Sequence, residues 1–197
     1  KKMCLFSGIT PVSVHPYTSF AEPNFFFSDY PRRFDDGLEL YKQYFHASAE
    51  FGARFFVFHG GLCRQRAKMP PERYAERDAV LHDTALAEGV TLCQENVVDH
   101  LCGNSEYVGS LKKLLGKNIA FALDLKQANR AGEDPMIFAE MMGQQLMHCH
   151  VNDFDPEHSC LLPGFGDFDI RELYRRLNMS GYQGDLITEV YSNNYTS

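Results

Sequence analysis

Residues 146–153 read LMHCHVND: an apolar run that carries two histidines two positions apart and stops on an Asn-Asp pair. In an extended strand, residues i and i+2 share a face. His148 and His150 therefore look to one side, and Cys149 and Val151 to the other. Histidines satisfied by hydrogen bonds inside a core would give the same string. What favours a functional strand end is that the pattern recurs on both sides of this stretch.

Towards the N-terminus, Asp134-Pro135 supplies the N-cap and first-turn residue of a helix that stops near Gly143. Before it, NIAFALD is a strand ending in Asp124, preceded by a helix over roughly 104–115 and then Gly116. VTLCQEN is a strand ending in Glu95 and Asn96, behind a helix opened by Pro70-Pro71 and ended by Gly89. ARFFVFH ends in His59 ahead of the Gly60-Gly61 turn, and its helix runs from near Asp35 to Gly52. ITPVSVH, ending in His15, opens the series, and residues 1–8 read as the last turns of a helix closed by Gly8. Residues 16–33, PYTSFAEPNFFFSDYPRR, have no usable period and read as a loop. Towards the C-terminus come the Pro- and Gly-rich loop PEHSCLLPGFGDFD, the helix IRELYRRLNMS ended by Gly181, and the strand DLITEV with Glu189 near its end.

Six times the order is helix, glycine, apolar strand, polar strand end. Short apolar strands alternating with helices mark parallel β/α units covered on both faces. The strand-end residues are His15, His59, Glu95, Asp124, His150 and Glu189. In a closed barrel they converge on one mouth, whereas an open doubly wound sheet joins only two or three strand ends at its switch point. No GxGxxG or phosphate-binding loop follows a strand, and the PGFG of residues 163–166 reads as a turn. The expected fold is α/β, a (β/α)8 TIM barrel. Such a barrel takes about 250 residues, while these 197 residues supply six strands. The expectation is a single, partial barrel over residues 1–197, without the first two strands and the closing helix. Imidazoles and carboxylates are ligands of Zn, Mn, Co and similar divalent ions, so the mouth reads by composition as a metal site.

The chain is 44% hydrophobic and 23% charged, so it can bury an ordinary globular core. A net charge of −7 argues against a nucleic-acid partner held on a broad basic surface, although a local basic cleft stays open. The six cysteines form no CxxC pair, and Cys4, Cys93 and Cys149 sit in apolar segments. Reduced, mostly buried thiols in a cytoplasmic protein are expected. No signal peptide or membrane-length apolar run is visible.

The pieces VSVHPYTS, FFVFHGG, LCQENV, FALDLKQANRAGEDP, LMHCHVND with LLPGFGDFD, and DLITEVY, in this order and spacing, resemble the xylose-isomerase-like TIM barrels. That superfamily holds sugar (phosphate) isomerases and epimerases and the class II AP endonucleases. The resemblance makes the six strands the third to eighth of the barrel. It implies one divalent ion, Mn, Mg, Co or Zn, held by Glu95, Asp124, His150 and Glu189. It further implies that Glu95 and Glu189 act as acid and base on a small sugar, polyol or sugar phosphate, moving a proton through a metal-stabilised enediolate. A bland alternative for each carboxylate is capping of the following helix. The endonuclease branch, with three zinc ions, is the alternative. His15 and His59 match its first histidines, but its DxxH reads Asp124-Leu125-Lys126-Gln127 here, and Asp155-Pro156-Glu157-His158 has the wrong spacing for its Asp-x-His.

For binding the substrate the candidates are His15, His59, Lys126 and His158. His15 and His59 would contact substrate or a second metal. Lys126, two positions past Asp124, is placed on the same strand face and points into the mouth. His158 lies in the long loop. Phe25, Phe26 and Phe27 read as packing on the domain rather than as a lid, Arg32 and Arg33 as a solvated pair, and His46, His82 and His100 as surface residues. The partner expected is a small sugar, with no nucleic acid and no membrane, and homo-oligomerisation is left open.

Overall fold

The structure, a computed structural model, describes residues 7–195. Cys4 and the helix expected over residues 1–8 fall outside the described residues, apart from its closing Gly8. The strands are β1 (Ser13–Val14), β2 (Phe55–Phe58), β3 (Thr91–Glu95), β4 (Ala120–Asp124), β5 (Leu146–Val151) and β6 (Leu186–Thr188). The helices are α1 (Glu22–Phe25), α2 (Pro31–Phe51), α3 (Pro71–Ala87), α4 (Ser105–Leu115), α5 (Leu125–Arg130), α6 (Pro135–Met142) and α7 (Ile170–Met179). The strands pair in parallel, in sequence order β1-β2-β3-β4-β5-β6.

The sheet curls. Arg54, just before β2, pairs with Asp185, just before β6, although four strand spacings separate them. At about 4.8 Å per spacing a flat sheet would hold those positions roughly 19 Å apart, beyond the reach of the two side chains. Phe55 and His148, on β2 and β5, bring their ring centroids to 5.6 Å across the concave side. This is part of a TIM barrel, six strands bent around a common axis.

Strand parity builds two apolar layers. Phe56 and Phe58, Leu92, Phe121 and Leu123, and Cys149 and Val151 point outward and join Tyr41, Phe45, Leu81, Phe138 and Leu173 under the helices. The residues between them, Phe55, Val57, Cys93, Ala120 and Ala122, fill the inside of the curl. Burial on both faces is why the strands read as continuous apolar runs. The inward parity also decides what reaches the mouth: continuing it from Cys93 reaches Glu95, and from Ala122 it reaches Asp124.

Three elements differ from the sequence reading. Residues 16–33 are not a plain loop: a 3-10 turn, Ser19–Ala21, leads into α1, and α2 begins at Pro31 rather than near Asp35. Proline suits the first helical turn, and a four-residue helix is too short to display a period. This segment is a fixed wall. Phe26 and Phe27 are buried, Gln65 Nε2 donates to the carbonyls of Pro23 and Phe27 at 3.0 and 3.1 Å, and Arg77 donates to the carbonyls of Phe26 and Ser28. The third difference is α5, which starts where β4 ends. Asp124 caps it by accepting from the Gln127 N–H at 3.2 Å, so Lys126 sits on a helix and not on the strand face.

His82 is buried and not at the surface. His100 is half-buried, its ring centroid 5.6 Å from that of His59. Among the described cysteines all are free thiols, and all are buried except Cys63. No helix of the described residues is long and apolar enough to cross a membrane.

Candidate metal centre

At the carboxyl ends of the strands, His150 Nδ1 lies 3.0 Å from Glu95 Oε1, 3.0 Å from Glu189 Oε2 and 4.0 Å from Asp124 Oδ2. Glu95, Asp124 and His150 are buried and offer ligand atoms within 4.8 Å of one another. Glu189, just past β6, joins them through His150 and through Lys126, whose Nζ donates to Glu189 Oε1 at 2.9 Å. Lys126 reaches Glu189 from the first turn of α5 and not from the strand face.

Asp124 is held on three sides. Asn96 accepts from the Asp124 N–H at 2.7 Å and donates to its carbonyl at 3.0 Å. Asn152 donates to Asp124 Oδ1 at 3.3 Å. The other oxygen, Oδ2, lies 3.2 Å from Lys126 Nζ, off the line of a hydrogen bond. A buried carboxylate oxygen left in this way, 4.0 Å from His150 Nδ1, fits a divalent cation, since buried acceptors are otherwise costly. Glu95 Oε2 is likewise buried without a donor in line, and it faces a second group.

A second group shares Glu95. His15 Nε2 and His59 Nε2 are 2.9 Å apart and lie 3.6 and 3.1 Å from Glu95 Oε2. These three also form a set of the size a metal ion needs. Glu95 thus turns one oxygen to each group.

Burial would push Glu95 up, but the imidazoles of His15, His150 and His59 hold it well below the usual carboxylate range. Asp124 goes the other way, to about 6, through burial and the neighbouring charge of Glu95. Burial works against the charged forms of His150 and His15, yet Glu95 raises both. Burial also opposes the Lys126 ammonium, and Asp124 and Glu189 overcome it. His148, beneath His150, is driven down to about 4 by burial and by the His150 charge, and so stays neutral.

His158 is not drawn into this cluster. Its Nδ1 turns back onto Asp155 at 3.0 Å, and its side chain is 60% exposed. Gln127, where the endonuclease pattern has a histidine, accepts from the Val98 N–H at 3.2 Å and serves the loop. Asn96 and Asn152, which hold Asp124, were legible in the sequence only as strand-end polar residues. Glu22, which accepts from the His59 N–H, lay inside an aperiodic segment that gave it no signal.

The family model described as xylose isomerase-like TIM barrel matches residues 1–196. An uncharacterized protein of Mycobacterium tuberculosis is 33% identical over 88 residues, 44% of this chain and 31% of that protein. The matched stretch is thus about a third of the relative's length. Among solved structures, an L-ribulose 3-epimerase superposes with a TM-score of 0.76 at 21% identity, over 100% of this chain and 67% of that one. An AP endonuclease, family 2, from Brucella melitensis does so with a TM-score of 0.76 at 20% identity, over 96% and 75%. At such identities the superpositions speak for the fold, and they include both branches weighed above. With the family model matching residues 1–196 and the six parallel strands in place, the chain belongs to the xylose isomerase-like TIM barrel family.

Proposed function

We propose that Glu95, Asp124, His150 and Glu189 hold one divalent ion, Mn, Mg, Co or Zn. The protein then isomerises or epimerises a small sugar, polyol or sugar phosphate by proton transfer. The observation that carries this reading is the convergence of three carboxylates on His150 Nδ1 at 3.0 to 4.0 Å. An ion held there supplies Lewis-acid stabilisation of negative charge developing on a carbonyl and its neighbouring hydroxyl. Glu95 and Glu189 approach His150 on separate oxygens and are the acid and base, one removing and one returning a proton beside the carbonyl. Glu95 is kept ionised by its imidazoles, the form that can hold a cation. Lys126 donates to a substrate oxygen, and His15 and His59 orient hydroxyl groups. The free thiols suit a reducing, cytoplasmic setting.

A second reading, a phosphodiesterase on abasic DNA, draws on the second ligand set at His15, His59 and Glu95. Heavy water separates the two. Metal-loaded protein incubated with ketoses and their phosphates should place deuterium on the carbon next to the carbonyl. Glu189→Gln should slow that exchange by at least ~10²–10⁴-fold, and assaying bound metal in the variant shows whether the ion was lost with it. Cleavage of abasic-site DNA with no exchange into any sugar would transfer the assignment to the second reading.

A further inference from the structure

We infer that Glu22 is a positioning residue that fixes His59 at the mouth. The β2 ladder ends at Phe58, paired with Gln94, so His59 has no strand partner to hold its peptide. Glu22, 0% exposed on α1, takes that place. Its Oε2 accepts from the His59 N–H at 2.7 Å and from the Gly60 N–H at 2.9 Å, and its Oε1 accepts from the Tyr41 hydroxyl at 2.9 Å. Successive N–H groups point into one concavity when the second residue turns left-handed, and Gly60 has φ +82°. A side chain there is excluded twice, by that φ and by the Tyr74 hydroxyl, which a Cβ would strike.

The carbonyl side of the same peptide unit is tied as well. Gln94 Nε2 lies 3.1, 3.0 and 2.9 Å from the carbonyls of Phe58, His59 and Glu95 and shares its two hydrogens among them, while Tyr74 donates to Gln94 Oε1. With both ends of its peptide held, the His59 ring is presented to Glu95 and His15. Burial pushes the Glu22 carboxyl up to about 8, against the pull of its three donors. A polar carboxyl group buried for packing alone would be better replaced by an apolar group. Its two-toothed seat on the His59–Gly60 turn is what an apolar group cannot supply.

The inference deepens the proposed function, since it rests on His59 serving that site, yet its test needs no turnover. Histidine side-chain ¹⁵N spectra of metal-free protein would be compared for wild type, Glu22→Leu and Tyr41→Phe. Leucine fills much of the space but offers no acceptor, so both N–H groups lose their partner. The His59 signals should then shift and broaden while those of His82 and His148 stay. Tyr41→Phe removes only the hydroxyl and should leave His59 as it was. Unchanged His59 signals in Glu22→Leu, or an equal change in Tyr41→Phe, would overturn the inference. Should Glu22→Leu fail to fold, the wild type carries the test: the His59 and Gly60 amides should exchange with solvent as slowly as those of Phe56 and Phe58. Exchange at open-loop rates would overturn it.

Discussion

Lys126 places its ammonium 2.9 Å from Glu189 Oε1 and 3.2 Å from Asp124 Oδ2, with a side chain 6% exposed. These are carboxylates that the proposed ion needs. A single and a double positive charge about 5 Å apart repel by roughly 6–7 kcal/mol at an effective dielectric near 20. The flexible lysine can swing aside and relieve most of that. Ion and ammonium therefore compete, and Lys126→Met should tighten Mn²⁺ binding by about tenfold or more, which calorimetric titration reads directly. Equal or weaker binding would show that the lysine and the ion do not share these oxygens. The address of Lys126 was misread because Asp124-Leu125-Lys126 continues the strand alternation in sequence. Nothing in those letters tells that Asp124 turns its side chain back to cap a helix. Glu95, Asp124 and His150 were legible because each ends an apolar run at the inward parity. Glu22 was not, because its partners are backbone groups 37 and 38 residues away.

The helix α3 buries Tyr74, Ala75, Asp78, Leu81, His82 and Ala85 on one face. His82 was read as a surface residue because it and Asp78 are polar residues at core positions of an otherwise amphipathic pattern. Both Asp78 oxygens are buried without a hydrogen-bond partner, and burial pushes the carboxyl from 3.8 to about 7. Between those values the folded state holds a proton that the unfolded state has released. Stability is therefore fully present below 3.8, falls as pH rises, and levels off above about 7. A shift of that size corresponds to on the order of 4 kcal/mol. Asp78→Asn cannot ionise, so denaturant unfolding should show it close to wild type at pH 4 and clearly more stable at pH 8. A wild-type pH slope retained in the variant would contradict this. Boundaries set by proline and glycine, such as Pro71 and Gly143, were readable, since both residues act through local backbone geometry. The short helices α1 and α5 were not, being four and six residues long.

Over the whole molecule, the alternation of helix and apolar strand was enough to read a parallel barrel, because parallel strands require covering helices and so repeat their pattern. The sharing of Glu95 between two ligand groups comes only from contacts across the concavity, which no local pattern records. The sheet bends so that four consecutive strands, β3 to β6, deliver Glu95, Asp124, His150 and Glu189 to one place. That these four bind a divalent ion is the central claim, and Mn²⁺ titration of chelator-treated protein beside His150→Ala tests it most directly. The prediction is one ion bound per chain in the wild type and loss of that binding in His150→Ala, with His15 and His59 left intact. A wild type that binds no ion, or a His150→Ala variant that binds it equally well, would contradict the account.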